Sequence, residues 1–118
     1  MKGLILAITL SLMGLLVCAS SYTVTTEIAV YFDSSKGTAW IDPNQMVTSL
    51  DRMMQKYSVN GSTVKAEELV NYMKANPGGI VVMTMGIAPG EIFQNKGDKD
   101  LAKSWMFDGG VMVWTGDW

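Results

Sequence analysis

Ile80-Val81-Val82-Met83-Thr84-Met85, residues 80–85, decides how this chain folds. It is apolar at nearly every position, whereas a strand with one wet face would alternate. A strand written this way is buried on both faces, as in a parallel sheet covered by helices. Asn76-Pro77-Gly78-Gly79 stops whatever precedes it. Gly86-Ile87-Ala88-Pro89-Gly90-Glu91 follows as a loop rich in backbone-permissive residues.

Working outward, Thr23 to Phe32 predicts another strand, with Ile28-Ala29-Val30-Tyr31-Phe32 as its continuous apolar part and Asp33-Ser34-Ser35-Lys36-Gly37 as the loop that ends it. Asp42-Pro43-Asn44-Gln45 opens a helix: Asp42 is a good N-cap, Pro43 suits the first helical position, and Gln45 can complete a capping box. Met46, Val47, Leu50, Met53, Met54 and Tyr57 share one face of that helix, and the spacing reads as core. Tyr57-Ser58-Val59 is expected as a short strand before an Asn60-Gly61 turn. A second helix is expected from Ser62 or Thr63, with Ala66, Leu69, Val70 and Met73 inward and Glu67-Glu68 near its positive end. Residues 95–100 (NKGDKD) read as a solvated loop, and Asp98 or Asp100 caps a third helix through Leu101, Trp105 and Met106. Gly109-Gly110 closes that helix, and Val111 to Thr115 is the last strand, with Trp105 and Trp114 at core positions. Strands alternating with helices predict a mostly parallel sheet of about four strands with helices on both faces.

The first residues read differently. Met1-Lys2-Gly3 is a short positive start, Leu4 to Val17 an apolar run, and Val17-Cys18-Ala19 a cleavage-site pattern. Residues 1–19 are therefore expected to be a secretory signal peptide, a hydrophobic helix ahead of an α/β domain spanning 20–118. Lipidation at Cys18 is disfavoured by Val17, where a small residue is wanted. Membrane or filament attachment is expected only if this helix is retained. The expected location is secreted or cell-surface.

Composition removes several chemistries. Of nine Lys and Arg, one is Lys2, which leaves eight against eleven Asp and Glu beyond the signal, a net charge near −3. There is no basic run, so nucleic acid is excluded as a partner. Cys18 is the one cysteine and the chain has no histidine, so the expected domain has no disulfide, thiol nucleophile, imidazole base or thiolate metal site. No P-loop or dinucleotide fingerprint is present. No cofactor, metal site or catalytic residue is therefore assigned.

Ligands of open α/β sheets bind outside the carboxyl ends of the strands. Here those ends carry Asp33 and Ser34, then Gly86 to Glu91, then Asp117 and Trp118. The candidate ligand-binding residues are accordingly Asp33, Ser34, Gly86, Glu91, Asp117 and Trp118. The competing reading for each acid is a turn or helix cap. Trp40 and Trp118 are the aromatics expected at the surface, and Asn60-Gly61-Ser62 is a glycosylation sequon.

Two stretches carry a family resemblance. IVVMTMGIAPGEIF resembles the strand and Gly-rich loop of the class I glutamine amidotransferase-like superfamily, and LAKSWMFDGGVMVWTGDW resembles the helix, Gly-Gly turn and strand that lead to its nucleophile elbow. The resemblance implies a three-layer flavodoxin-like α/β sandwich. It also implies an amide hydrolase in members with a Cys at the elbow and a later His. This chain has Gly116-Asp117-Trp118 at the elbow and no His, so amide hydrolysis by that mechanism is not available to it. The expectation is an exported, non-catalytic relative, cut short at its C-terminus, with a binding or assembly role toward carbohydrate or a cell-surface protein. An uncovered edge strand would promote self-association. The alternatives are a carboxylate-dependent hydrolase, glycosidic or metal-assisted, using Asp33 with Asp117, and a membrane- or filament-anchored assembly subunit.

Overall fold

The structure, a computed structural model, describes residues 27–36, 42–94 and 97–115. In chain order these form β1 (Ile28–Tyr31), α1 (Pro43–Lys56), β2 (Gly61–Val64), α2 (Ala66–Ala75), β3 (Ile80–Met83), a 3₁₀ turn (Gly97–Lys99), α3 (Leu101–Phe107) and β4 (Val111–Trp114). The strands pair in the order β2-β1-β3-β4, and each pair is parallel. The fold is α/β with a four-stranded parallel sheet, and its strand order is the flavodoxin-like one. The expected signal helix lies outside the described residues.

Crossover handedness sets the layers. The step from β1 to β2 runs one way along the sheet, and the steps from β2 to β3 and β4 run the other way. Right-handed connections then put α1 on one face and α2 with α3 on the opposite face. Packing agrees. Leu69 and Met73 of α2 and Ala102 and Trp105 of α3 join Ala29, Tyr31, Val81 and Met83 in one buried cluster. Full burial of a side chain such as Leu69 contributes about 1.5–3 kcal/mol. On the other face α1 crosses β2, where Met54 fills the space a side chain at Gly61 would need.

The helix ends follow their local chemistry. Asp42 accepts from the Asn44 amide at 2.9 Å, as the sequence predicts. Glu68 reaches back to the Lys65 amide at 2.9 Å and tethers the start of α2. Both α1 and α3 end in Schellman motifs. After α1, Ser58 donates to Gln55 O and Val59 to Met54 O, with Ser58 at φ +53°. After α3, Gly109 donates to Met106 O and Gly110 to Trp105 O, with Gly109 at φ +100°.

Four expectations are corrected. Residues 57–59 are a helix cap, not a strand, because Ser58 in the left-handed region turns the chain out of α1. The second strand comes later, at Gly61–Val64, so Ser62 and Thr63 are strand residues and α2 starts at Ala66. The α1 face is only partly core: Met46, Val47, Leu50 and Met54 are half-buried, while Met53 and Tyr57 are 55% and 63% exposed. This helix sits over the β2 end of the sheet, so its stripe overhangs the strand it covers. Trp105 is buried as expected, but Trp114 is 44% exposed because β4 is the outermost described strand.

Candidate functional site

With the order β2-β1-β3-β4, the chain leaves β1 and β3 in opposite directions, which makes the carboxyl ends of these two strands the topological switch point. Three parts follow the strands at this end: the turn after Tyr31, the start of the connection from β3 to α3 at Thr84–Gly86, and Thr115 after β4. Threonines cap the strand carbonyls at this end of the sheet. Thr84 Oγ1 donates to Tyr31 O at 2.6 Å and its amide to the same oxygen at 3.3 Å. One strand over, Thr115 Oγ1 donates to Met83 O at 2.9 Å and its amide at 3.1 Å. Each threonine extends its ladder by one residue and satisfies a carbonyl at the rim.

Asp33 is held as an Asx turn. Its Oδ1 accepts from the Ser35 hydroxyl at 2.7 Å and the Ser35 amide at 3.0 Å. The Ser35 hydroxyl first, and then its amide, hold the Asp33 carboxyl below its usual range, with Lys36 and Lys65 adding to the effect. Asp33 is therefore an ionised turn cap, poorly suited to hold a proton for transfer. Ser34 is exposed at the tip of the same turn, and Gly86 is half-buried at the start of the long loop.

Beneath this rim lies Tyr31, fully buried, whose hydroxyl has no hydrogen-bond partner among the described residues. Burial pushes its pKa above the usual phenol value, and the Asp33 and Glu91 carboxylates push it further in the same direction. Asp33 follows β1 and Glu91 lies on the connection after β3, so both acids lie beyond the carboxyl ends of these parallel strands.

Glu91 itself is exposed and lines an open groove of about 540 Å³ between α2 and the start of α3. Glu67, Val70 and Lys74 form one wall; Gln94, Lys99 and Leu101 complete the other. The loop wall is anchored: Ile92 is fully buried and accepts from the Ala102 amide at 3.1 Å, and Asp100 accepts from the Gln94 amide at 2.8 Å. Sequence reading found Glu91 but missed the other groove residues. Their signal was present as the i, i+3, i+7 stripe Glu67, Val70, Lys74, but nothing in the sequence places Gln94, Lys99 and Leu101 opposite it.

Asp117, Trp118 and Trp40 lie outside the described residues. Asn60 is exposed, and its carbonyl accepts from the Ile28 amide at 2.9 Å, so the sequon straddles the start of edge strand β2. Among the described residues no group of three or more His, Cys, Asp or Glu is arranged to hold a metal ion, and no helix is long and apolar enough to cross a membrane.

Neither protein-family models, nor curated proteins, nor solved structures yield a match to this chain.

Proposed function

We propose that this chain is an exported, non-catalytic α/β domain of the class I glutamine amidotransferase-like type, with a role in binding or assembly at the cell surface. The observation that carries the assembly role is β4. It is an edge strand among the described residues, it holds no charge, proline or glycine, and Val111, Val113 and Trp114 are 51%, 45% and 44% exposed. Edge strands of monomers usually carry such guards. The opposite edge, β2, reads Gly-Ser-Thr-Val and ties Ser62 to Glu27. A second copy is the occupant that suits β4: two identical edges related by a two-fold axis would pair antiparallel and place their valines face to face.

Sedimentation of the purified chain across a concentration series tests this. Self-association is expected for the wild type and its loss for Val113→Lys, which puts a charge on the edge. A monomer at every concentration, or unchanged association in the variant, would sink the assembly role. Export is tested separately by N-terminal sequencing of the secreted form, with Ser20 expected as the first residue. A tryptophan fluorescence change with soluble polysaccharide would support the carbohydrate part, which rests on the exposed polar rim at Ser34 and Glu91.

A further inference from the structure

The groove that Glu91, Gln94, Lys99 and Leu101 form with α2 has a charge pattern that its position in the fold does not explain. Each wall carries one carboxylate and one ammonium: Glu67 with Lys74 on α2, Glu91 with Lys99 opposite. Among the described residues these four groups form no ion pair with one another, although they share one groove. A simple cation or anion would be attracted by half of this set and repelled by the other half, so neither gains much. A molecule with separated opposite charges gains at both ends.

The dimensions narrow the class. Glu67 and Lys74 are seven residues apart on one helix, about 10 Å along the axis at 1.5 Å per residue. An extended peptide spans about 10 Å in three residues. Val70, between the two charges, and Leu101 across from it supply apolar surface for a small side chain. The Gln94 carboxamide, which among the described residues makes one contact, Nε2 to Glu91 O at 3.4 Å, offers a donor and an acceptor to a peptide unit.

We propose that this groove binds a short zwitterionic peptide of about three residues, its ammonium held by the Glu67 and Glu91 carboxylates and its carboxylate by Lys74 or Lys99. This site is independent of the β4 edge, since it lies on the α2 and α3 side of the sheet and uses no β4 residue.

The test is an amide-resolved NMR titration of the full chain with trialanine, alongside N-acetyl-trialanine and trialanine amide. Saturable shifts are expected at Glu67, Val70, Lys74, Glu91, Gln94 and Leu101. Blocking either terminus is expected to weaken binding about tenfold, as loss of one charge-assisted hydrogen bond would. Glu91→Gln and Lys74→Met are expected to weaken trialanine to a similar degree. Both side chains are solvent-exposed, and an unchanged amide spectrum of each free variant verifies its fold. No saturable shift at millimolar peptide, equal binding of the blocked peptides, or shifts centred away from the groove would overturn the proposal.

Discussion

At the scale of single residues, the adjacent glycines of the two Gly-Gly pairs do different work. Gly109 supplies the positive φ that closes α3, whereas Gly110 gives up its side chain because Trp105 lies across it. The indole has little freedom to withdraw, since its Nε1 donates to Asn76 O at 2.6 Å. Gly110→Ala is therefore expected to destabilise the fold by about 1–3 kcal/mol through overpacking. Gly78, beside which a methyl group would meet nothing, is the control: Gly78→Ala should stay within about 0.5 kcal/mol of wild type. Urea denaturation of the two variants separates these outcomes, and equal losses would show that Trp105 is not what excludes a side chain. Gly79 is crowded in the same manner by Tyr72. The Tyr72 hydroxyl accepts from the Ile80 amide at 3.0 Å and donates to the Glu27 carbonyl, which ties the starts of β1 and β3 together.

Among the elements, α1 shows how a local signal can be replaced by another with the same outcome. Its Schellman motif needs a left-handed residue, the place where α3 uses Gly109 and α1 uses Ser58. An L-residue there carries a conformational penalty that glycine lacks, partly offset by the greater chain freedom of glycine when unfolded. Ser58→Gly is expected to stabilise the fold by up to about 1 kcal/mol, read as a higher denaturation midpoint at unchanged slope. A destabilised variant would mean that the serine hydroxyl contributes more than the backbone strain. The same element explains why a well-formed amphipathic stripe is only partly covered. Periodicity says which residues share a face, but the area beneath that face is set by where the crossover drops the helix.

For the whole molecule, pH acts at opposite ends of the scale. Burial pushes the pKa of Tyr31 and of Tyr72 above the usual phenol value, and nearby carboxylates add to both. A phenol whose folded pKa lies above its unfolded value contributes stability that is present below about pH 10 and is lost as pH rises through the folded value. Asp33, held below its usual value, does the reverse: its contribution is present above the ordinary carboxylate range and is lost as pH falls through the folded value. Stability measured by denaturant titration should thus decline toward alkaline pH, and Tyr72→Phe should flatten that decline. A Tyr72→Phe profile parallel to wild type between pH 9 and 11, about where phenols titrate, would exclude Tyr72 as a contributor.

The amino-acid sequence by itself determined the class of fold. Unbroken apolar strands such as Ile80–Met83 cannot face water, and a parallel sheet between helices is the arrangement that covers them. It determined the caps of α1 and α3 as well, because Asp42 and Gly109 act on neighbours a few residues away. It also removed thiol and imidazole chemistry from the expected domain, since neither residue type is there to supply it. What it left open was everything that depends on contacts distant in the chain. Whether 57–59 or 61–64 became the second strand was decided by pairing with β1, where Gly61 meets Ile28 and Val64 meets Tyr31. The exposure of Trp114 followed from its place on the outermost described strand, which its apolar neighbours in sequence do not record. The groove was written on two segments that are 17 residues apart at their nearest, Lys74 to Glu91, and only packing of α2 beside α3 brought them to one surface. Local propensity is a short-range energy; a binding surface is a long-range geometry, and tertiary structure alone assembles it.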